Sequence, residues 1–188
     1  ELHLLGINSV TEALRFALNV VPNIHPTAIT SVQIRGLSDA NNQKVLFLID
    51  GVPYWMPQNG DIGLNSVPFA AIDKIEIIRG PASVIYGTNS SSGVINIVTK
   101  KSGESNVIVE YGSAGYGIAS LYKHFQQANY SGSIAVEKRF DNGFDAELNN
   151  SLETMDFSCF CFPFAEPTEM PVKTEHQSVI ANVNWQDL

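Results

Sequence analysis

The spacing of hydrophobic positions changes character at about residue 101. Before that point both helical and strand periods occur. Val10, Leu14, Ala17, Leu18 and Val21 fall on one helical face behind the capping box Ser9-Val-Thr-Glu12, and Pro22 stops the run, which predicts a core-packing helix over residues 10–20. Ser31 to Arg35 is predicted as a short strand, and Val45 to Ile49, apolar throughout, as a central one. Asp73 to Arg79 alternates, with Ile75 and Ile77 opposite Lys74, Glu76 and Ile78, and Val94 to Thr99 is β-branched except at Asn96. Gly36 to Lys44 and Pro53 to Gly63 are predicted loops, Asp50-Gly51 is a turn signal, and Gly80-Pro81 breaks a strand. Pro68 opens a short helix and Ala82 to Tyr86 makes one helical turn. The strands 45–49, 73–79 and 94–99 are expected in one small mixed sheet flanked by the 10–20 helix.

From Asn106 onward the period is two, and no helical period is found. Val107, Val109 and Tyr111 alternate with Ile108 and Glu110; Tyr130, Ile134 and Val136 alternate with Ser131, Ser133 and Glu137; Val179, Ala181, Val183 and Trp185 alternate with Ser178, Ile180, Asn182 and Asn184. One apolar and one polar face per strand fits a membrane barrel, and a soluble β-sandwich shows the same alternation. The Gly112 to Gly117 stretch is predicted as a hairpin connection.

Composition narrows the function classes. The chain has 188 residues and a net charge of -8, without the clustered Lys and Arg that a nucleic-acid partner requires. It contains no apolar run of about 18 residues for a transmembrane helix, and Glu1 to Gly6 lacks the pattern of a signal peptide. Cys159 and Cys161 stand too close for a usual metal pair, with His176 the nearest further ligand; two thiols in an aromatic loop, or a strained local disulfide, is the expectation. No P-loop, Gly-x-Ser-x-Gly or Ser-x-x-Lys occurs, and the four histidines are scattered. No nucleophile with a nearby base can be named, so neither an enzyme nor a cofactor is expected.

The strings Ile75-Glu-Ile-Ile-Arg-Gly-Pro-Ala-Ser-Val-Ile-Tyr-Gly87 and Gly93-Val-Ile-Asn-Ile-Val-Thr-Lys100 resemble the hallmark of the plug domain of TonB-dependent outer-membrane receptors. Val32-Gln-Ile-Arg-Gly36 and Leu48-Ile-Asp-Gly-Val-Pro53 match two further plug motifs in the family's order. The resemblance runs from about Val10 to Lys101. It implies an α+β plug domain over residues 1–101, with a small mixed sheet and short helices, followed over residues 102–188 by antiparallel strands of an incomplete transmembrane β-barrel. Plugged transporters have about 22 strands of about 9–11 residues, and this stretch can supply roughly four. A fragment lacking the TonB-contacting segment is therefore expected.

The function implied is uptake of a scarce nutrient, a ferric siderophore or a cobalamin, at the bacterial outer membrane, with TonB and outer-membrane lipid as partners. Glycans rank lower, because the glycan branch has Lys-Asp-Ala-Ser-Ala where this chain has Arg79-Gly-Pro-Ala-Ser. Thr88-Asn-Ser-Ser-Ser92 departs from the Ala-Ile-Gly frequent in the family. Asn41, Asn42, Gln43, Tyr54, Trp55 and Gln58, on loops that the family turns toward the cell exterior, are the implied ligand contacts; the aromatic pair could instead pack on the barrel wall. Arg35 and Arg79, with Glu76 beside them, are the implied plug–barrel lock, guanidinium forks suiting bidentate pairing with wall glutamates. The alternative to the whole reading is a soluble binding or adhesion module made of an α+β domain and a β-sandwich.

Overall fold

The computed structural model describes residues 6–24, 30–37, 42–56, 62–64, 66–142, 145–147, 169–171 and 174–185. Cys159, Cys161, Asn41 and Gln58 lie outside them. The first element, α1 (Val10–Arg15), begins where the sequence places it: the Ser9 hydroxyl accepts the Glu12 N–H at 3.1 Å, and the Glu12 carboxylate accepts the Asn8 N–H at 2.9 Å. It ends five residues earlier than expected. Asn19 turns the chain with φ 61°, leaving Leu18 and Phe16 exposed, and Val20–Ile24 forms strand β1 instead. The β-branched pair Val20-Val21 suits a strand, and among the described residues β1 pairs only with β2 (Thr30–Ile34), so Pro22 breaks no central ladder.

A four-stranded mixed sheet forms the centre of the first half, in the order β4 (Val52–Pro53), β3 (Val45–Ile49), β6 (Gly93–Thr99), β5 (Ile72–Arg79). β3 runs parallel to β6, and the other pairings are antiparallel. The three strands expected to share a sheet do so. β3 is buried on both faces, as its unbroken apolar run requires. Phe47 and Val45 pack with Leu14, Ile34, Ile95 and Ile97, while Leu46 and Leu48 pack with Val94 and Ala82. The short helix α2 (Ser83–Tyr86) follows Ala82, with Val84 and Ile85 exposed on it.

Beyond an exposed link at residues 101–105, β7 (Asn106–Tyr111), β8 (Gly117–Gln126), β9 (Tyr130–Asp141) and β12 (Thr174–Trp185) form an antiparallel sheet in the order β12-β9-β8-β7. Two short strands, β10 (Asp145–Glu147) and β11 (Glu169–Pro171), pair with each other. β7 joins β8 through a 3-10 turn at Ser113–Gly115, and three residues join β8 to β9. Strand alternation gives this sheet two unlike faces. One carries Val107, Val109, Tyr111, Leu121, Ile134, Val136, Val179, Val183 and Trp185, all exposed. The other carries Ser120, Tyr122, Ser133, Glu137 and Ser178, all buried, and lies against the first half of the chain.

Candidate functional site

The two halves meet along a seam that is part apolar and part polar. A 3-10 turn at Phe69–Ala71 presses Ala70 and Ala71 onto Tyr122 and Ala135, with Ile108 and Ile180 at the margin. Around this patch hydrogen bonds take over. Glu137 on β9, 3% exposed, accepts the Phe69 N–H through Oε2 at 3.0 Å and pairs through Oε1 with Arg139 Nη2 at 2.9 Å. The same Nη2 donates to the Asn8 carbonyl, and the Asn8 side-chain amide donates to Glu110 on β7. At the far end of β6, the Asp50 carboxylate accepts both the N–H and the hydroxyl of Thr99, and Asn182 of β12 donates to the Thr99 hydroxyl at 3.1 Å. Lys100 donates to the Ala70 carbonyl at 2.8 Å and lies 5.2 Å from the centre of the Tyr122 ring, a cation–π contact. Burial pushes its pKa below the ordinary lysine value, against the charge of Asp73.

None of the residues making the polar seam was singled out as a contact by the sequence. Alternation places Glu137 on the polar face of its strand, but it cannot say which backbone amide waits opposite. Of the expected lock residues, Arg35 has its guanidinium near Gly80, and Arg79 Nη1 donates to the Leu18 carbonyl at 3.1 Å. Side chains alternate along β5, so Glu76 is on the face opposite Arg79, where it pairs with Lys74 at 2.6 Å and accepts from Asn96 at 3.1 Å. These partners, Lys74 first, hold its carboxyl below the usual range.

The expected ligand residues also divide. Tyr54, Trp55 and Gln43 are exposed. Asn42 is 6% exposed, with φ 50°, and its Oδ1 accepts the Val32 N–H at 2.9 Å, so its side chain supports β2.

The described residues contain no cluster of three His, Cys, Asp or Glu able to hold a metal. The arrangement is that of a sheet packed on the first half of the chain, polar toward it and apolar away from it. Comparison with known proteins agrees with this geometry. The vitamin B12 transporter BtuB of Vibrio vulnificus (strain CMCP6) is 40% identical over 125 residues, which is 65% of this chain and 18% of that protein. The ferric enterobactin receptor of Pseudomonas aeruginosa is 30% identical over 131 residues, 64% of this chain and 16% of that protein. The chain thus spans under a fifth of the length of these curated relatives. The crystal structure of the ferric yersiniabactin uptake receptor FyuA from Yersinia pestis shares the fold with a TM-score of 0.64 at 20% identity, covering 97% of this chain and 27% of that one. The family model described as the TonB-dependent receptor plug domain matches residues 1–94, and the chain belongs to that family.

Proposed function

We propose that this chain is the plug and first wall strands of an outer-membrane receptor that takes up a ferric siderophore or a cobalamin. The observation that carries it is the polarity of the β7-β8-β9-β12 sheet: its apolar side chains are exposed, and its polar ones are buried against the plug. A soluble sandwich buries the apolar face of each sheet under a second sheet, whereas a barrel wall turns it to lipid and keeps a polar lumen. Aromatic residues sit at both ends of the outward face. Phe125 and Tyr130 meet edge to face at 6.3 Å and Tyr130 stacks on Trp185 at 5.9 Å, while Tyr111 and Phe140 lie at the other end. From Tyr130 to Phe140 is roughly ten rises of about 3.3 Å, or about 25 Å of height at a tilt of about 40°, the height of a barrel's apolar band.

In this reading Tyr54, Trp55 and Gln43, with Asn41 and Gln58, contact the ligand. Arg35 and Arg79 pair with carboxylates of further wall strands. TonB, pulling from the periplasm, displaces or partly unfolds the plug to open a path, and no catalytic step is involved. Light scattering tests the membrane assignment: residues 1–101 alone are expected to be a soluble monomer, and 1–188 to need detergent. A monodisperse monomer of 1–188 in plain buffer overturns it in favour of a soluble module. For the lock, Arg79→Ala in the whole receptor is expected to admit bulky antibiotics through the outer membrane, and unchanged permeability reduces Arg79 to an exposed strand end.

A further inference from the structure

Where the plug meets the wall there is a cavity of about 10 Å³, lined among others by Asn8, Phe69, Glu110, Ser120 and Glu137. Ser120 is 4% exposed, and its Oγ has no hydrogen-bond partner among the described residues. A space of that size accepts one water molecule, which is retained where two to four polar groups surround it. Those groups are present. The Ser120 hydroxyl can donate or accept, and the Glu110 and Glu137 carboxylates each have accepting capacity beyond the bonds already described. A neutral molecule with two O–H donors and two lone pairs matches a hydroxyl set between two carboxylates. A cation does not match as well, since each carboxylate is already engaged, Glu137 by Arg139 and Phe69, Glu110 by Asn8.

We propose that this cavity is a binding site for a single water, which joins Ser120 to Glu110 and Glu137 and so steadies the polar latch by which these wall carboxylates hold the plug. The latch grips two points of the plug. Glu137 takes the Phe69 N–H, and Arg139 and Glu110 take the backbone and side chain of Asn8, one residue before the Ser9 cap of α1. Ser120 on β8, Glu110 on β7 and Glu137 on β9 all belong to the wall, so the water links wall side chains and orients the two carboxylates that reach the plug.

The test uses the 188-residue chain in detergent, or in buffer should it be monodisperse there. In wild type a water cross-peak is expected at the Phe69 amide proton by nuclear Overhauser spectroscopy. Ser120→Val, which fills the space and removes the hydroxyl, is expected to abolish that peak while the β8 and β9 amide shifts persist. A wild type without the peak, or a Ser120→Val variant that retains it, overturns the water site. Hydrogen exchange reads the latch. Glu137→Ala is expected to speed exchange at Phe69 by about tenfold or more, with Ile95 in the plug sheet unchanged. Glu137→Gln keeps an acceptor but removes the negative charge paired with Arg139, and serves should the alanine variant not fold; a smaller increase, about threefold, is expected. Unchanged protection at Phe69 in the folded variants overturns the latch.

Discussion

A buried amide in a polar loop can hold up the strand beside it. Asn42 sits in a polar loop among amides, yet it is the acceptor that satisfies the buried Val32 N–H. Removing one partner of a buried bond leaves the other unsatisfied, so Asn42→Ala is expected to lower unfolding stability by about 1–3 kcal/mol, as chemical denaturation would show. Glu76 makes the complementary case. Its pKa is depressed by Lys74 and Asn96, so its small contribution to stability is present above the unfolded carboxyl value and is lost as pH falls through the lower folded value. Lys74→Ala should move the Glu76 titration, followed by carbon NMR, back toward the ordinary carboxylate range. A Glu76 bound to the wall instead of to Lys74 would titrate unchanged in that variant.

Elements were legible where one signal dominated. The run Val45 to Ile49 has only one reading, and β3 occupies those residues. The alternation of β7, β9 and β12 fixed their faces. At residues 16–24 two signals competed: helical spacing continued through Leu18 and Val21, but the β-branched Val20-Val21 and the left-handed turn at Asn19 prevailed. Tertiary pairing with β2 decided between them, and pairing is not written in a local window. The polar seam was illegible for the same reason, since Asn8 and Arg139 stand far apart in sequence and meet only through the fold. Close approach of strands also sets residue size. A Cβ on Gly93 would stand 2.5 Å from the Ile78 carbonyl oxygen and 2.8 Å from Ile34 Cδ1. Gly93→Ala is therefore expected to push β6 from β5 and lower stability by about 1–3 kcal/mol in urea unfolding, with faster exchange at the Ile78 and Val94 amides.

At the scale of the molecule, the outward apolar face sets a depth scale. Trp185 stands at the aromatic end of that face and Val179 six residues along the same strand, facing the same way. In lipid vesicles, with Trp55 replaced by Phe, Trp185 fluorescence is expected to be quenched best by lipids brominated near the headgroup. A Val179→Trp probe in a Trp185→Phe background is expected to be quenched best by bromines deeper in the chain. Equal quenching of both by a water-soluble quencher would place the face in water. The parallel ladder of the plug bears on assembly as well. Val45 pairs with Gly93, far along the chain, whereas β8 and β9 are joined by three residues. Loop-closure entropy rises with the length enclosed, and contacts of high sequence separation form slowly, so the wall hairpins can form in about microseconds while the plug waits for β6 to find β3. During that interval an apolar sheet exists without its plug or its lipid, and its unpaired edges are open to a second chain. The order in which the two ladders close thus sets the window in which a nascent chain is vulnerable to aggregation, and a factor that shields β7 and β12 until the plug has closed would act in that window.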